Sequence, residues 1–132
     1  MISYVKQRDY LNVMGMKVVT DQFKLDNELI TDDEVFSDSI WLLDEKFNRQ
    51  RVICVIASTN IYLFTQKTRW FGGVEVKFLK RFNFRDVDKI CLSAKHCTLF
   101  ALVMHSGVDL LFEGLRRIDM VLYLKYRMKD LK

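Results

Sequence analysis

The fold of this chain is decided by the stretch Lys46-Phe47-Asn48-Arg49-Gln50-Arg51-Val52-Ile53-Cys54-Val55-Ile56-Ala57. Its second half is a short, β-branched apolar run bounded by polar residues, which is typical of a buried strand. Its first half places three cations, at positions 46, 49 and 51, in the turn that leads into this strand. A fork of long basic side chains is a chemical match for phosphate, although charge runs are often merely solvated. The stretch therefore predicts a strand that begins at a candidate anion site.

Six further segments have strand-like patterns. In the clearest one, Val74, Val76 and Phe78 alternate with charged residues, which indicates a half-buried strand. Turn-forming residues separate the segments. The seven predicted strands are 35–43, 51–58, 61–64, 74–82, 87–94, 99–105 and 108–112.

Two helices are expected, one at each end of the chain. The stronger prediction is 115–131, where one stripe is apolar except for its first member and consists of Arg117, Val121, Leu124, Met128 and Leu131. Near the start, rough helical spacing predicts a short helix at 4–14, interrupted by Gly15 and followed by an irregular segment to about residue 33.

This order of elements indicates an α+β fold. Successive antiparallel strands joined by tight turns must bury one face and protect two edges, and a strongly bent sheet covered by a terminal helix does both. The expected fold class is a pleckstrin homology (PH)-like, seven-stranded antiparallel bent sheet or barrel, capped by the C-terminal helix and preceded by a short N-terminal helical extension. We accordingly divide the chain into an extension, 1–33, and a PH-like domain, 34–132.

Length and composition set further bounds. At 132 residues, half of them hydrophobic and none of them proline, the chain is expected to form one domain with a real core. It has no apolar run of about 18 residues and no apolar signal sequence at its start, so we expect a cytoplasmic protein. Its three cysteines lack metal-ligand or disulfide spacing, and Cys54 and Cys91, each in a strand-like run, are expected to be buried.

Charge is distributed unevenly along the chain. Residues 1–45 carry four Lys and Arg against ten Asp and Glu, whereas residues 46–132 carry seventeen against seven. A basic second part suggests an anionic partner. The alternative is internal pairing between the acidic N-terminal segment and the basic body.

Short motifs between residues 33 and 124 add a family resemblance. They are Glu34-Val35-Phe36-Ser37-Asp38, Asn48-Arg49-Gln50-Arg51-Val52-Ile53, Thr59-Asn60-Ile61-Tyr62-Leu63-Phe64, Val87-Asp88-Lys89-Ile90-Cys91-Leu92-Ser93 and Asp109-Leu110-Leu111-Phe112-Glu113, with Arg8-Asp9-Tyr10-Leu11 upstream. Together they resemble the tail homology domain of class I myosins, a PH-like module that binds membranes rich in acidic phospholipids. The resemblance implies that Lys46, Arg49 and Arg51 bind the headgroup, notably of phosphoinositides. The chain departs from this family in two ways. The family often has a further cation on its first strand, whereas here the matching region 39–43 has none and is followed by the carboxylates Asp44 and Glu45, which would repel a phosphate. The second departure is the lack of a motor.

A second candidate contact is the loop that contains Lys67, Arg69, Trp70 and Phe71. Aromatic rings between cations suit a membrane interface, where rings lie at headgroup depth and cations meet phosphates. They suit a protein hot spot equally well. In a third alternative, the two rings fold back under the sheet.

Other chemistries find no support in the sequence. It contains no nucleotide-binding, hydrolase or metalloprotease motif, so we expect no catalysis, no cofactor and no metal. The basic pI would allow nucleic acid, but no recognition motif accompanies it and we do not expect this partner. Two functions remain. One is a peripheral adaptor for anionic phospholipid membranes linked to the cytoskeleton. The other is a structural docking subunit of a cytoskeletal or ciliary protein assembly, which binds protein and no lipid. Docking requires a large exposed apolar patch, expected at Trp70 and Phe71 or on one face of residues 1–30.

Overall fold

A computed structural model describes residues 8–28 and 34–129 of the chain. It has seven strands followed by a C-terminal helix, which confirms the predicted fold class. The elements are a 3-10 helix Val13–Gly15, α1 Lys17–Leu25, β1 Phe36–Leu43, β2 Arg49–Ile56, β3 Asn60–Thr68, β4 Val74–Asn83, a 3-10 helix Phe84–Asp86, β5 Val87–Leu92, β6 Leu99–Met104, β7 Leu110–Glu113 and α2 Arg117–Lys129.

All neighbouring strands pair antiparallel, in the order β4-β3-β2-β1-β7-β6-β5. Among the described residues the hydrogen-bonded sheet is not closed, because it ends at β4 on one side and at β5 on the other. Cys91 on β5 is exposed, contrary to prediction, while Cys54 on β2 is buried. Successive side chains of a strand point to opposite faces, and the neighbouring Ile90 packs against the buried core, so Cys91 faces away from it.

One face of the sheet packs against α2 and forms the main core. The helix contributes Met120, Val121, Tyr123 and Leu124, all buried. Each such side chain stabilises the fold by roughly 1.5–3 kcal/mol. The predicted inward stripe began at Arg117, whose Nη1 donates to the carbonyls of residues 93, 96 and 99 at 2.9–3.1 Å. The one cation of the stripe therefore anchors the start of the helix to the β5–β6 loop.

The opposite face of the sheet is covered by the N-terminal segment. Val13, Val19 and Phe23 pack against a second buried cluster whose sheet members include Val55 and Tyr62. A face of residues 1–30 was one of the surfaces expected to be free for a partner. Within the described part, 8–28, this expectation is wrong, because the apolar side chains of that segment cover the sheet of the same chain.

The N-terminal helix lies later in the chain than predicted. Residues 4–7 of the predicted helix, 4–14, lie outside the described residues, and Asp9 forms a parallel bridge with Ser37 instead of a helical turn. The Asp9 carboxylate accepts hydrogen bonds from the amides of Val13 and Met14, at 2.8 and 3.2 Å. Short acidic side chains compete in this way with helical backbone bonds. The α-helix begins after Gly15, in the segment that was expected to be irregular.

A buried carboxylate fixes the end of this segment. Glu28 is nearly inaccessible to solvent, and its two oxygens accept hydrogen bonds from Ser58, Thr59, Asn60 and Tyr62 at 2.5–3.2 Å. Burial, and secondarily the nearby Glu28 charge, raises the pKa of the Tyr62 hydroxyl above its ordinary value. Nearby, Asp26 forms an ion pair with Arg81. Part of the acidic N-terminal segment is therefore paired within the chain. Such internal pairing is the alternative that the uneven charge distribution left open beside an anionic partner.

Candidate functional site

Three loops border the candidate site. The β1–β2 turn follows Leu43 and the β3–β4 turn follows Thr68, so both project from the same end of the β1–β4 meander. The β6–β7 loop joins them, because Leu111 at the start of β7 pairs with Leu43. The pairing order thus collects loops that are far apart in sequence at one end of the sheet.

The β1–β2 turn is built around Asp44. One oxygen of its carboxylate accepts the amides of Lys46 and Asn48, both at 2.8 Å, and the other accepts the Asn48 side chain at 3.1 Å. Hydrogen bonds from the backbone and side chain of Asn48 hold the pKa of Asp44 below its ordinary value. Phe47 adopts a positive φ of 62°, and this residue is 69% exposed. The carboxylate that seemed to oppose an anion is therefore the structural centre of this turn.

The basic triplet, Lys46, Arg49 and Arg51, does not line a single cleft. Arg49 forms an ion pair with Glu113 at 3.1 Å. The Arg51 guanidinium lies 4.0 Å from the centroid of the Trp41 ring, and Trp41 is its partner across the β1–β2 ladder. The structure brings the two arginines together on the outer face of the sheet. Lys46 lies on the exposed turn that precedes them.

Two clefts divide the triplet. Lys46 and Arg49 line the turn cleft, a space of about 810 Å³ between the β1–β2 turn and the β6–β7 loop, and Arg51 lines another of about 450 Å³ beside Trp41. The charged residues around the turn cleft are three cations and three carboxylates: Lys46, Arg49, Lys80, Asp44, Glu45 and Asp109. This balance gives the cleft little net attraction for a polyphosphate. The assignment of the triplet to a headgroup stays a prediction.

The β3–β4 hairpin places its aromatic residues in solvent. β3 leaves β2 after Thr65 but remains paired with β4 as far as Thr68, so this hairpin extends past the central ladder. At its tip Trp70 is 94% exposed and Phe71 69% exposed, with ring centroids 5.5 Å apart. Gly72 and Gly73 allow the tight turn, since both have positive φ. The alternative in which the rings fold back under the sheet is wrong.

Cations surround these rings. Lys67 and Arg69 are exposed, and the Arg69 guanidinium lies 6.0 Å from the Phe71 ring centroid. Glu75 pairs with Lys77 at 3.0 Å and with Arg69 at 3.8 Å. The hydrogen bond from Lys77 lowers the pKa of Glu75, so this carboxylate remains charged. The hairpin tip therefore combines exposed apolar rings with a local excess of basic charge.

Lys80 is a lining residue that the sequence pattern did not place correctly. Simple alternation along β4 would place Lys77 and Arg81 on one face and Lys80 on the other. A register shift opposite Leu63 and Phe64 reverses this, so that Lys77 and Lys80 share a face. A β-bulge adds one residue to a strand and changes which side later residues face. In the sequence, only a break in the alternation of apolar and charged residues along β4 could have indicated this bulge.

Comparison with known proteins identifies the architecture. No protein-family model and no curated protein sequence matches this chain. The human ARAP2 N-terminal PH domain matches at TM-score 0.58 and 13% identity, over 74% of this chain and 82% of that domain. This chain has a PH fold.

Two further solved structures share this PH fold. The C-terminal domain of an unknown protein from Leishmania infantum gives a TM-score of 0.60 at 15% identity, covering 92% of this chain and all of that domain. The linker-DH/PH region of p115-RhoGEF gives 0.60 at 11% identity, covering 98% of this chain but 39% of that structure. Identities this low establish the fold alone. None of the described helices is long and apolar enough to cross a membrane.

Proposed function

We propose that this PH-fold chain is a non-catalytic binding module that attaches peripherally to membranes containing anionic phospholipid, through the β3–β4 hairpin and the β1–β2 turn. The observation that carries the proposal is the solvent-exposed pair Trp70 and Phe71 between basic residues. Large apolar rings left in water at a loop tip are characteristic of an interaction surface. Phe47 on the neighbouring turn adds a third exposed ring at the same end of the sheet.

The charges of this end support an anionic surface over a neutral one. Lys67 and Arg69 flank the rings, and Lys46 is exposed on the adjacent turn. Each Lys or Arg held near an anionic leaflet contributes about 1 kcal/mol, and this contribution weakens as salt screens it. The resemblance to the myosin tail homology domain supports the same class of ligand and suggests an adaptor linked to the cytoskeleton. Lys46 and Arg49 line one cleft and Arg51 lines another. This arrangement favours contact with a flat membrane surface over the binding of one headgroup by all three cations.

Protein docking is a second candidate function. The observation that favours it is the turn cleft, where three cations face three carboxylates. A polypeptide with both signs of charge suits such a cleft better than a polyphosphate does. The exposed aromatic pair would then be an anchor for a protein partner. The chain would in that case be a structural subunit of a cytoskeletal or ciliary assembly.

Vesicle co-sedimentation distinguishes the two. The full chain is incubated with neutral vesicles, with phosphatidylserine vesicles and with vesicles that also contain a phosphoinositide. Membrane attachment predicts pelleting with both anionic vesicles that decreases as salt increases. Lys46→Ala should weaken it, whereas Lys89→Ala, which removes an exposed lysine from β5, should not. A folded chain that does not pellet with any anionic vesicle at low salt would refute the membrane function.

The same assay tests the predicted triplet. If Lys46, Arg49 and Arg51 hold one headgroup, the triple alanine variant loses the additional binding that the phosphoinositide provides. If the flat surface alone is recognised, the phosphoinositide adds only its charge, and the triple variant retains most of its binding to phosphatidylserine. Because Arg49 and Arg51 contact Glu113 and Trp41, circular dichroism must show that the triple variant is folded.

A further inference from the structure

Helix α2 carries a second apolar face that the fold leaves exposed. Its inward side chains are buried in the core. Leu115, just before the helix, and Ile118, Leu122 and Tyr126 within it are all exposed, between 53% and 94%. Their spacing of three, four and four residues places them along one side of a helix. We refer to these four residues as the helix stripe.

The helix stripe lies away from the loops of the candidate membrane site. Near the end of α2, Tyr123 and Arg127 both donate hydrogen bonds to the carbonyl of Glu34. Glu34 precedes β1, whereas the β1–β2 turn follows the other end of that strand. The later part of the helix is thus tied to the opposite end of β1. A membrane that meets the hairpin tip does not account for the helix stripe.

Basic residues frame the helix stripe at both ends. Lys125 and Lys129 are exposed on the last turns of α2, and Lys95 is exposed in the β5–β6 loop to which Arg117 binds. Within residues 8–28 and 34–129, none of these three lysines forms an ion pair or a hydrogen bond with a carboxylate. The described acid on the helix, Asp119, is partly buried and accepts a hydrogen bond from Tyr10 at 2.8 Å. Among the described residues, those that frame the stripe therefore carry a net positive charge.

We propose that the helix stripe binds an acidic amphipathic helix of a partner protein. Within α2, from Ile118 to Tyr126, the stripe spans eight residue steps, about 12 Å at a helical rise of 1.5 Å, which matches roughly two turns of a partner helix, and Leu115 extends it just before the helix. Apolar residues at a helical period on the partner would pack on the stripe. Asp and Glu beside them would meet the unpaired lysines. This charge complementarity disfavours a second copy of the chain, since two copies would bring their lysine frames together.

Selection from a displayed peptide library tests the proposal directly. Each peptide is about 18 residues long, because shorter isolated helices are marginal. Its apolar positions are fixed at a helical period and its flanking positions are randomised. The full chain should enrich peptides with Asp and Glu at the flanks. One enriched peptide, labelled for fluorescence anisotropy, should bind Leu122→Gln at least tenfold more weakly than wild type.

Matched variants keep the result interpretable. Leu25→Gln replaces an exposed leucine on α1 and should leave peptide binding unchanged. Ile118→Gln provides a second alteration of the stripe if Leu122→Gln does not fold. Leu122 and Ile118 do not belong to the loops of the membrane proposal, so Leu122→Gln and Ile118→Gln should both retain vesicle binding.

Several results would overturn the proposal. The proposal is wrong if wild type enriches peptides no more than Leu122→Gln does, or if the enriched peptides carry neutral or basic residues at their flanking positions. It is also wrong if Leu122→Gln binds the labelled peptide as tightly as wild type does. Sedimentation equilibrium that shows a wild-type dimer and a Leu122→Gln monomer would assign the stripe to a second copy instead. Loss of vesicle binding in Leu122→Gln would assign it to a membrane. Each of these two results would likewise replace the acidic helix as the occupant.

Discussion

Replacing Trp70 by alanine is the perturbation that most directly tests the membrane function. The ring makes a contact with Phe71 but is otherwise surrounded by solvent, at 94% exposure. Its removal should therefore change the free energy of unfolding by no more than about 0.5 kcal/mol, as for surface substitutions in general. Any loss of membrane binding then reports on the contact itself and not on the fold.

The size of the loss follows from the area that the ring can bury. A large aromatic side chain buries up to about 250 Å², and nearly all of it is available here. At about 25 cal/mol per Å², complete burial would contribute roughly 6 kcal/mol. A ring at headgroup depth keeps one side in water, so about half of this value, ~3 kcal/mol, is expected. This corresponds to a decrease of about a hundredfold in the vesicle partition coefficient.

The assay is a lipid titration by co-sedimentation with phosphatidylserine vesicles at low and physiological salt. The matched control is Tyr126→Ala, which removes an exposed aromatic ring from α2 and leaves the loops intact. Wild type and the control should bind alike, and Trp70→Ala should require about a hundredfold more lipid. If Trp70→Ala bound anionic vesicles within twofold of wild type, the ring would not enter the membrane and the reasoning would be refuted.

Three further predictions concern the fold. Glu28→Gln should lower the free energy of unfolding by roughly 1–3 kcal/mol in urea titrations, since an amide cannot accept all the hydrogen bonds that the buried carboxylate receives. Asp44 should titrate by NMR below the ordinary aspartate value of about 3.9. Because its pKa is lowered on folding, its stabilising effect is present above that value and is lost as the pH falls through the lowered pKa. Cys91 and Cys97 should react with a thiol reagent in the native protein, while Cys54, buried and with its thiol pKa raised by desolvation, should react only on unfolding.

Controls follow from the same contacts. Glu45→Gln removes an exposed acid that has no part in the Glu28 cluster and should leave stability unchanged. An Asp44 pKa at or above 3.9 would contradict the hydrogen-bonded turn. Rapid labelling of Cys54 in the folded chain would contradict the packing of β2.

The sequence allowed most of the strands to be predicted because each carries its own signal. Val74, Val76 and Phe78 alternate with charged residues, and 52–57 is an unbroken apolar run. The class of fold followed from the order of these segments. Their ends were less certain, as in β3, which continues four residues past Phe64 because it pairs with β4 there.

What the sequence did not reveal depends on partners that are distant along the chain. Arg51 lies on Trp41, and Arg49 pairs with Glu113, only because β1 lies between β2 and β7. The position of α1 depends on Asp9, whose carboxylate binds backbone amides and thereby ends the predicted helix. In the same way, the exposure of Trp70 could be predicted only from the point at which β3 leaves β2. Each of these contacts is set by strand register, which a local pattern does not encode.

The N-terminal segment has a consequence for the surface that the sheet exposes to water. Without residues 8–28, the sheet would present Ile53, Val55, Tyr62 and Phe64 to water beside β4, which is an edge strand among the described residues. An apolar sheet surface next to an unpaired edge is the combination that recruits other chains into aggregates. The segment that precedes the sheet thus covers a surface on which other chains could otherwise assemble. A domain boundary drawn at residue 34 would separate the strands from the part of the chain that covers them.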